Sequence, residues 1–401
     1  MAADISEREI SEYRKETDGC SSVIHLNNAG ASLMPNVVTQ AILDHIKLEA
    51  SIGGYEAADL REEAHRNFYV EAGKLLNCSS SNIALTANAT DSFTRALSSI
   101  PFKAGDIILT SNDDYISNQI QYLSLRKRFG IEVVRTKDDP GGGVDLYDLE
   151  HRMKTLRPRV LAITHIPTNS GLVQPVEKIG EIAKRYHETI YLLDACQSVG
   201  QLPLDVSVLG CDFLSATTRK FLRGPRGAGL LYVSNRILEE GFEPLFIDMR
   251  GAEWVEKDKY IPRDNATRFE DWEFAYALLL GTSAAITYAM NVGVERIWKR
   301  VQHLAEFARV ELAKIDSVQV LDKGPSLAGL VTFTTPKSTS DVLKEQLRKR
   351  KINVTASYRN YAVIDFDRKK VEWAIRLSPH YFNTEDEIMA AVESVREIIS
   401  R

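Results

Sequence analysis

Hydrophobic and polar positions follow two different periods along most of this chain. From about Val37 to residue 250, short apolar runs alternate with longer segments in which apolar residues recur every three or four positions. The short runs predict strands and the longer segments predict helices. The predicted strands cover 107–111, 131–136, 159–165, 189–194, 212–217 and 229–234. This alternation favours an α/β fold with a mostly parallel sheet.

The last third of the chain has a different pattern. One helical region is predicted from 272 to about 312, and the strand-like runs GLVTFTT, NYAVIDF and WAIRLS then alternate with helical segments. We therefore expect a large α/β lobe over 24–284 and a small α+β lobe over 285–401, with the N-terminal segment 1–23 packed nearby. Between predicted elements, DDPGGGVD at 138–145 is typical of a β-turn rather than a phosphate-binding loop.

Composition narrows the kinds of partner. The 401 residues include 50 basic and 55 acidic side chains, a net charge of -5 that gives no reason to expect nucleic acid or an anionic membrane. The sequence has no signal-peptide pattern and no run of about twenty apolar residues. Four cysteines without C-x-x-C or metal-ligand spacing predict free thiols, no metal site and a reducing cytoplasm. We expect a small soluble substrate.

An acid and an amine stand at predicted strand ends. In YLLDACQSVGQLPLD, Asp194 ends an apolar strand, and in SATTRKFLRGPRGAG, Lys220 follows the next one. Ligands of parallel α/β sheets bind beyond the carboxyl ends of the strands. This pair suits pyridoxal phosphate, because a lysine can form the Schiff base while an aspartate keeps the pyridine nitrogen protonated. A buried salt bridge between the two residues is the alternative.

Two further segments offer contacts to such a cofactor. In LTANATDSFTRALSSI, a turn at Ala89 and Thr90 opens a helix whose backbone amides suit a phosphate, although an ordinary helix cap has the same pattern. In ITHIPTNSGLVQP, the amide of Asn169 follows a strand and can bond the phenolic oxygen, although a turn also explains it.

These motifs resemble the class V aminotransferase family of fold type I pyridoxal-phosphate enzymes, which includes cysteine desulfurases and related carbon-sulfur lyases. The most specific stretches are DACQSVGQLPLD and SATTRKFLRGPRGAGLLYV. The resemblance implies a seven-stranded, mostly parallel sheet in the large lobe. It also implies a small amino-acid substrate and a homodimer whose sites are completed by both chains.

The resemblance implies a role for each matching residue. Lys220 carries the Schiff base and Asp194 pairs with the pyridine nitrogen. Around the ring it implies four contacts: Asn169 and Gln197 at the phenolic oxygen, Tyr115 stacked on the ring and Ala195 beneath it. At the phosphate it implies Ala89, Thr90, Thr217 and Arg219. For Tyr115, a core aromatic is the alternative.

Three residues are expected to face the substrate. Arg376, in WAIRLSPHYFNTEDEI, matches the arginine that binds the substrate carboxylate. Asn28, in HLNNAGASLMP, lies in the substrate-facing N-terminal loop, and Tyr55 lies in the GGYEA loop. The alternatives are a surface charge on an edge strand for Arg376, a plain turn for Asn28, and an anchor of the dimer for Tyr55.

Two departures from the desulfurases shape the expected activity. A desulfurase needs a mobile cysteine shortly before the carboxylate-binding arginine, and INVTASYRNYAVIDFDRKKVEWAIR contains none. Cys196 is expected to point away from the substrate if Asp194 points toward it. Glu270-Asp271-Trp272 replaces the family's Gly-Thr pair, which puts the phosphate contact across the dimer in doubt.

The expected reaction follows from these departures. LEASIGGYEAAD, RKFLRGPRG and RFEDWE resemble the branch that contains the carbon-sulfur lyase of ergothioneine biosynthesis. We therefore expect β-elimination on a cysteine-derived substrate, giving pyruvate, ammonia and a sulfur product. A class V aminotransferase or amino-acid epimerase is the alternative, with a desulfurase third. A non-catalytic regulator on this fold is disfavoured because Lys220 is present.

Overall fold

The computed structural model describes residues 3–400, so the first two residues of the predicted N-terminal segment and the last residue of the predicted small lobe lie outside it. The α-helices in this range are α1 (Glu7–Lys15), α2 (Asn36–Ile52), α3 (Gly54–Leu60), α4 (Glu62–Leu76), α5 (Ala89–Ser98), α6 (Ile116–Phe129), α7 (Leu146–Leu156), α8 (Val176–Ala183), α9 (Val206–Leu209), α10 (Asn235–Glu239), α11 (Tyr276–Val292), α12 (Val294–Ala313), α13 (Ser340–Lys349), α14 (Val363–Lys369) and α15 (Glu385–Ile399). The strands are β1 (Ile24–His25), β2 (Ile83–Thr86), β3 (Ile107–Thr110), β4 (Glu132–Arg135), β5 (Val160–Thr164), β6 (Ile190–Asp194), β7 (Phe213–Thr217), β8 (Gly229–Val233), β9 (Ala252–Glu256), β10 (Lys259–Pro262), β11 (Gln319–Val320), β12 (Val331–Thr334), β13 (Ile352–Asn353), β14 (Thr355–Tyr358) and β15 (Trp373–Leu377).

Seven strands form the central sheet in the order β2-β8-β7-β6-β5-β3-β4. Five neighbouring strands are parallel to one another: β7, β6, β5, β3 and β4. Strand β8 runs antiparallel to both β7 and β2. The expected mostly parallel sheet is confirmed, and the six strands predicted between 107 and 234 are β3 to β8. The apolar pattern does not single out β2, because this strand has only four residues and two residues separate it from α5.

The apolar strands of this sheet are covered on both faces. In β6, Tyr191 and Leu193 enter one hydrophobic core, while Ile190 and Leu192 enter a second core on the opposite face. Successive side chains of a strand point to opposite faces, so a strand with helices on both sides reads as a continuous apolar run. The polar residue Asp194 then stands, buried, at the carboxyl end of that run.

The C-terminal residues form a second sheet, with strand order β11-β12-β15-β14. The predicted strands GLVTFTT and WAIRLS are confirmed as β12 and β15. The prediction of a strand at NYAVIDF is wrong, because 363–369 forms α14. In α14, Lys369 pairs with Asp365 one helical turn away at 2.7 Å, and Phe366 is buried. These i,i+4 contacts favour the helix over the strand.

The predicted helical region from 272 to 312 is two helices. α11 and α12 meet at Gly293, whose φ of 92° suits glycine, and bend by 78°. No single helix between residues 3 and 400 has the length and apolarity to cross a membrane, and this bent pair reaches them only when taken together. Ile297 of α12 packs in a core of the large sheet and Leu304 packs in the core of the small sheet, so the lobe boundary near 285 stays a prediction.

Two shorter segments complete the fold. β1 pairs in parallel with β13, which joins the beginning of the chain to its C-terminal part. The predicted β-turn at 138–145 is confirmed: Asp138 and Val144 form an antiparallel bridge, and the Asp139 amide donates to the carbonyl oxygen of Gly143 at 2.8 Å.

Candidate active site

The predicted acid and amine lie at one edge of the central sheet. β5, β6 and β7 are adjacent and parallel, so their carboxyl ends meet at this edge. Asp194 is the last residue of β6, Thr217 is the last residue of β7, and Lys220 follows three positions later. All three side chains are buried. This is the edge at which parallel α/β sheets bind ligands.

Asp194 is held by two hydrogen bonds. Its carboxylate accepts from the backbone amide of Cys196 at 2.9 Å and from Nδ2 of Asn118 at 3.0 Å. Burial raises the pKa of Asp194, while these two donors and the nearby charge of Lys220 act in the opposite direction. Within residues 3–400 it forms no salt bridge with Lys220, so the alternative of a simple buried ion pair is not what the fold contains.

Lys220 contacts a thiol. Its Nζ lies 3.2 Å from Sγ of Cys196. Burial lowers the pKa of Lys220, Arg219 adds to this effect, and Cys196 and Asp194 oppose it. A lowered lysine pKa favours the neutral amine, which is the form that attacks carbonyl carbon and accepts protons.

The expected orientation of Cys196 is therefore wrong. Cys196 lies two positions after Asp194, in the turn that follows β6, and the period of two in a strand already puts residues at this spacing on the same side. Ala195 is fully buried in a hydrophobic core of the large sheet, and its position beneath a cofactor ring stays a prediction. The side chain that faces Lys220 is the thiol.

Two buried carboxamides each keep one polar atom free. Among the atoms of residues 3–400, neither Oδ1 of Asn169 nor Oε1 of Gln197 has a hydrogen-bond partner, although the two side chains are only 4% and 2% exposed. Nε2 of Gln197 donates to Oγ1 of Thr168 at 2.9 Å and to the carbonyl oxygen of Ala29 at 3.1 Å. Buried polar atoms are normally hydrogen-bonded, so these two fit a polar ligand.

The predicted phosphate cradle has the expected backbone. α5 begins at Ala89, and the capping side chain of Asn88 accepts from the Asp91 amide at 3.0 Å. Gly229 pairs with Thr217, and a Cβ on Gly229 would lie 2.7 Å from the backbone carbonyl carbon of Asn88. Glycine therefore lets the beginning of α5 approach Thr217 closely. The first amides of a helix favour an anion.

Arg219 and Tyr115 border the same region. The Arg219 guanidinium donates to the carbonyl oxygen of Gly30, and burial lowers its pKa. Tyr115 caps α6 and is half-buried, and its backbone amide donates to the carboxylate of Asp114 at 2.6 Å. A half-buried ring at a helix start does not match the alternative of a core aromatic. Its contact with a cofactor ring stays a prediction.

Arg376 is a buried cation without an acidic partner. It is 5% exposed on β15, and within the described chain no carboxylate lies within salt-bridge distance and Nε has no partner. Nη1 donates to the carbonyl oxygen and to Oγ1 of Thr168, both at 2.9 Å. Burial, followed by the charge of Arg219, lowers the pKa of Arg376 to about 10. The alternative of a surface charge is wrong, and the arrangement fits a bound carboxylate.

Two residues support the site without having been predicted. Thr168 bonds both Gln197 and Arg376, which ties the two lobes together at this point. Asn118 holds Asp194 and also donates to Asp114 at 3.1 Å. The only sequence signals for them are their positions after β5 and after Tyr115, because hydrogen bonds between distant segments leave no local pattern.

Two predicted substrate residues, Asn28 and Tyr55, form no hydrogen bond with Lys220 or Arg376 within residues 3–400. Asn28 is fully buried, and its amide donates to the carbonyl oxygen of Ser378 at 2.8 Å while its Oδ1 accepts from Ser32 at 2.7 Å. Tyr55 is 73% exposed and stands in α3, not in the expected loop. A substrate contact for either residue stays a prediction.

The segment Glu270-Asp271-Trp272 forms hydrogen bonds and ion pairs with other residues of the same chain. Glu270 is buried, and its carboxylate accepts from the Leu85 amide at 2.7 Å and pairs with Arg250. Asp271 pairs with Arg95 of α5. A role of this segment at a dimer interface stays a prediction.

The cysteines and the possible metal ligands of the described residues form neither disulfides nor a metal cluster. All four cysteines carry free thiols. In the described part of the chain, no three His, Cys, Asp or Glu side chains are placed to hold one metal ion.

Comparison with known proteins identifies the family. The family model described as aminotransferase class-V matches residues 24–390. The chain belongs to this family. A probable cysteine desulfurase of Methanothermobacter thermautotrophicus is 28% identical, with 94% of each chain covered. The apo cysteine desulfurase of Thermococcus onnurineus superimposes with a TM-score of 0.89 at 24% identity, over 100% of both chains. A mutant of C-DES with glycine covalently linked to its PLP cofactor gives a TM-score of 0.85 at 23% identity, covering 96% of this chain and 99% of that one.

These findings confirm part of the expected function and correct the rest. The fold type I architecture and the class of pyridoxal-phosphate enzyme are confirmed at the level of the family. The expected carbon-sulfur β-elimination is wrong, because the relatives are named cysteine desulfurases, the activity that the loop without cysteine argued against. The comparisons give no support to the ergothioneine-type branch.

Proposed function

We propose that this protein is a pyridoxal-phosphate-dependent cysteine desulfurase, which converts L-cysteine to L-alanine and transfers the sulfur atom to a thiol. The observation that carries the proposal is Arg376, a buried guanidinium with no acidic partner within residues 3–400, beside the site of Lys220 and Asp194. A buried cation of this kind fits the carboxylate of an amino acid. The names of the relatives support cysteine as that amino acid.

The residues at the sheet edge fit the cofactor. Asn169 and Gln197 each have a free carbonyl oxygen, an acceptor that fits a donor of the ligand such as its phenolic hydroxyl, and the carboxylate of Asp194 would keep a proton on the pyridine nitrogen. When bound, pyridoxal phosphate supplies an electron sink for the charge that develops at the substrate Cα. Lys220 holds the cofactor covalently and, once displaced by the substrate amine, takes the Cα proton at Nζ.

The phosphate and ring contacts complete the proposed cofactor site. The backbone amides at Ala89 and Thr90 face the phosphate together with the side chains of Thr217 and Arg219, because a helix start and a guanidinium both favour an anion. Tyr115 packs against the ring. These roles come from the family resemblance and from the position of each residue around the same edge of the sheet.

We also propose that the active form is a homodimer. Several large apolar side chains between 245 and 272 are exposed in the single chain: Leu245, Phe246, Met249, Trp254, Tyr260, Ile261 and Trp272. Many exposed large apolar side chains within one segment are typical of a protein interface. Light scattering after size-exclusion chromatography should give twice the mass of one chain, and a Phe246→Glu, Trp254→Glu variant should shift toward one chain.

Product analysis tests the proposed reaction. The holoenzyme is incubated with L-cysteine and dithiothreitol, and alanine, sulfide, pyruvate and ammonia are measured. We expect alanine and sulfide in equal amounts, and no alanine from Lys220→Ala. The matched control Lys178→Ala, which removes an exposed lysine of α8, should keep the wild-type rate. Pyruvate and ammonia in place of alanine would contradict a desulfurase.

A further inference from the structure

We propose that Cys196 is the thiol that receives the sulfur atom from cysteine. The inference rests on the proposed desulfurase function and adds the residue that the function needs. Its Sγ is 3.2 Å from Nζ of Lys220, the closest contact that this lysine makes with any thiol between residues 3 and 400. A desulfurase requires a nucleophilic thiol beside the substrate sulfur, because the carbon-sulfur bond is cleaved by attack on that sulfur.

The segment that would supply a mobile thiol is occupied by a helix. Between Ile352 and Arg376 the sequence has no cysteine, and α14 fills the middle of this stretch. α14 is fastened to the large lobe, since Arg368 pairs with Asp113 at 2.6 Å and Lys369 donates to the carbonyl oxygen of Asn169 at 3.3 Å. The receiving thiol must therefore come from another part of the chain.

The other three thiols are placed elsewhere. Cys211 precedes β7, so it lies at the opposite end of that strand from Lys220, about 15 Å away for five residues. Cys78 follows α4, where its amide bonds to the carbonyl oxygen of Gly73, and Cys20 lies in the short helix Asp18–Ser21. Cys196 is the remaining candidate.

The short distance between Cys196 and Lys220 indicates that the thiol can contact a bound substrate. A substrate amine that displaced Lys220 from the cofactor would lie near Nζ, and the sulfur of cysteine is three covalent bonds from its own nitrogen. A thiol within hydrogen-bond distance of Nζ is thus close to the substrate sulfur. Independently of the thiol, the free buried atoms of Asn169 and Gln197 mark this space as a ligand site.

The chemistry at Cys196 balances without an added oxidant. Lys220 first passes on the Cα proton that it has taken, its neutral amine then accepts the thiol proton of Cys196, and the thiolate attacks the substrate sulfur. The new bond joins the two sulfur atoms, and the bond between Cβ and sulfur breaks with its electron pair passing to Cβ, which then takes a proton. The products are alanine and a persulfide on Cys196. The persulfide passes its outer sulfur to a thiol such as dithiothreitol as sulfide.

The charged surroundings suit this role. Burial raises the pKa of the Cys196 thiol, while the charges of Lys220 and Arg219 lower it. Reactive thiols are typically found beside such cations in partly exposed positions, and the side chain of Cys196 is half-buried.

Mass spectrometry after a single turnover tests the inference. The holoenzyme is mixed with one equivalent of L-cysteine without reductant, alkylated and digested. We expect one additional sulfur atom, removable by dithiothreitol, on the peptide that contains Cys196. Cys196→Ser should retain the visible absorbance of the cofactor and lose alanine formation by at least about a hundredfold, the scale of losing a catalytic group. Cys211→Ser, which removes another buried thiol, should behave like the wild type.

The outcomes separate the inference from the function on which it rests. Alanine formation by wild type with the additional sulfur on another cysteine, or a wild-type rate from Cys196→Ser, overturns the role of Cys196 and leaves the desulfurase proposal standing. No alanine from the wild type overturns both.

Discussion

Asn118 donates a hydrogen bond of 3.0 Å to the carboxylate of Asp194, although the two residues are 76 positions apart. Asn118 lies in α6 and Asp194 ends β6, so the bond joins a helix to the strand that carries the proposed cofactor acid. Burial raises the pKa of Asp194, and Asn118 is one of the groups that oppose this rise. Asn118 therefore helps to keep Asp194 ionised.

Removing this donor should weaken cofactor binding. In Asn118→Leu, one buried carboxylate oxygen loses its partner, at a cost of about 1–3 kcal/mol. We expect the dissociation constant of pyridoxal phosphate to rise about tenfold or more, measured by absorbance titration of the cofactor-free protein. The control Gln119→Leu removes a bond to Asp114 and leaves Asp194 intact, so equal losses in both variants would contradict the argument.

Arg376 should control substrate capture. Arg376→Met removes a buried cation that has no acidic partner among the described residues, so little folding stability depends on its charge. We expect kcat/KM for cysteine to fall by the equivalent of roughly 2–5 kcal/mol, mainly through KM, with a nearly unchanged melting temperature. The kcat/KM of Arg376→Lys should lie between those of the wild type and Arg376→Met, because lysine keeps the charge but cannot form two parallel hydrogen bonds to a carboxylate. An unchanged KM would remove Arg376 from the substrate site.

The ion pairs of Arg368 should keep α14 ordered against the large lobe. Arg368→Leu leaves Asp113 and Asp138 without their common cation. We expect the free energy of unfolding to fall by about 1–3 kcal/mol, and amide hydrogen exchange in Val363–Lys369 to become faster. The control Arg359→Leu breaks an exposed pair with Asp367 and should have a small effect. Equal exchange rates in both variants would show that Arg368 does not fasten the helix.

One ion pair predicts a pH dependence of stability. Hydrogen bonding from Arg300 is the main cause that lowers the pKa of Glu385 from its ordinary 4.5 to about 2. A lowered carboxyl pKa stabilises the folded state above 4.5, and this contribution is lost as the pH falls toward 2. Because Glu385 is 40% exposed, solvent screening limits the contribution to about 0.5–1 kcal/mol.

Urea unfolding of Glu385→Gln measures this contribution. The variant should be less stable than the wild type at neutral pH, and the difference should shrink at about pH 3. The control Glu393→Gln breaks a pair on the same helix in which both side chains are more than 40% exposed, so it should change stability less. A loss for Glu385→Gln that does not depend on pH would contradict the assignment.

The fold was predictable where one periodic pattern dominates. β3 and β5 to β8 are short, buried apolar runs, and the partly buried β4 follows the same local pattern, so the pattern alone locates all six. NYAVIDF has the same apolar character, yet its ion pair between Asp365 and Lys369 and its contacts with Asp113 make it a helix. Tertiary contacts of this kind override a local pattern.

The site was predictable where a motif reports a strand end. Asp194, Lys220 and Arg376 have burial and positions that fit their expected roles. Cys196 was misjudged because it lies two positions after Asp194, where the alternation of a strand predicts the same side as Asp194 and not the opposite side. Thr168 and Asn118 have no motif, since each acts through hydrogen bonds to residues far away in the sequence.

The attachment of pyridoxal phosphate to Lys220 is the central claim, and borohydride reduction tests it most directly. The purified protein is saturated with pyridoxal phosphate, reduced, digested and mapped by mass spectrometry. The account predicts loss of the visible absorption band and a reduced cofactor on Lys220 alone, with no label in Lys220→Ala. A label on another lysine, or a wild-type protein that binds no pyridoxal phosphate, would contradict it.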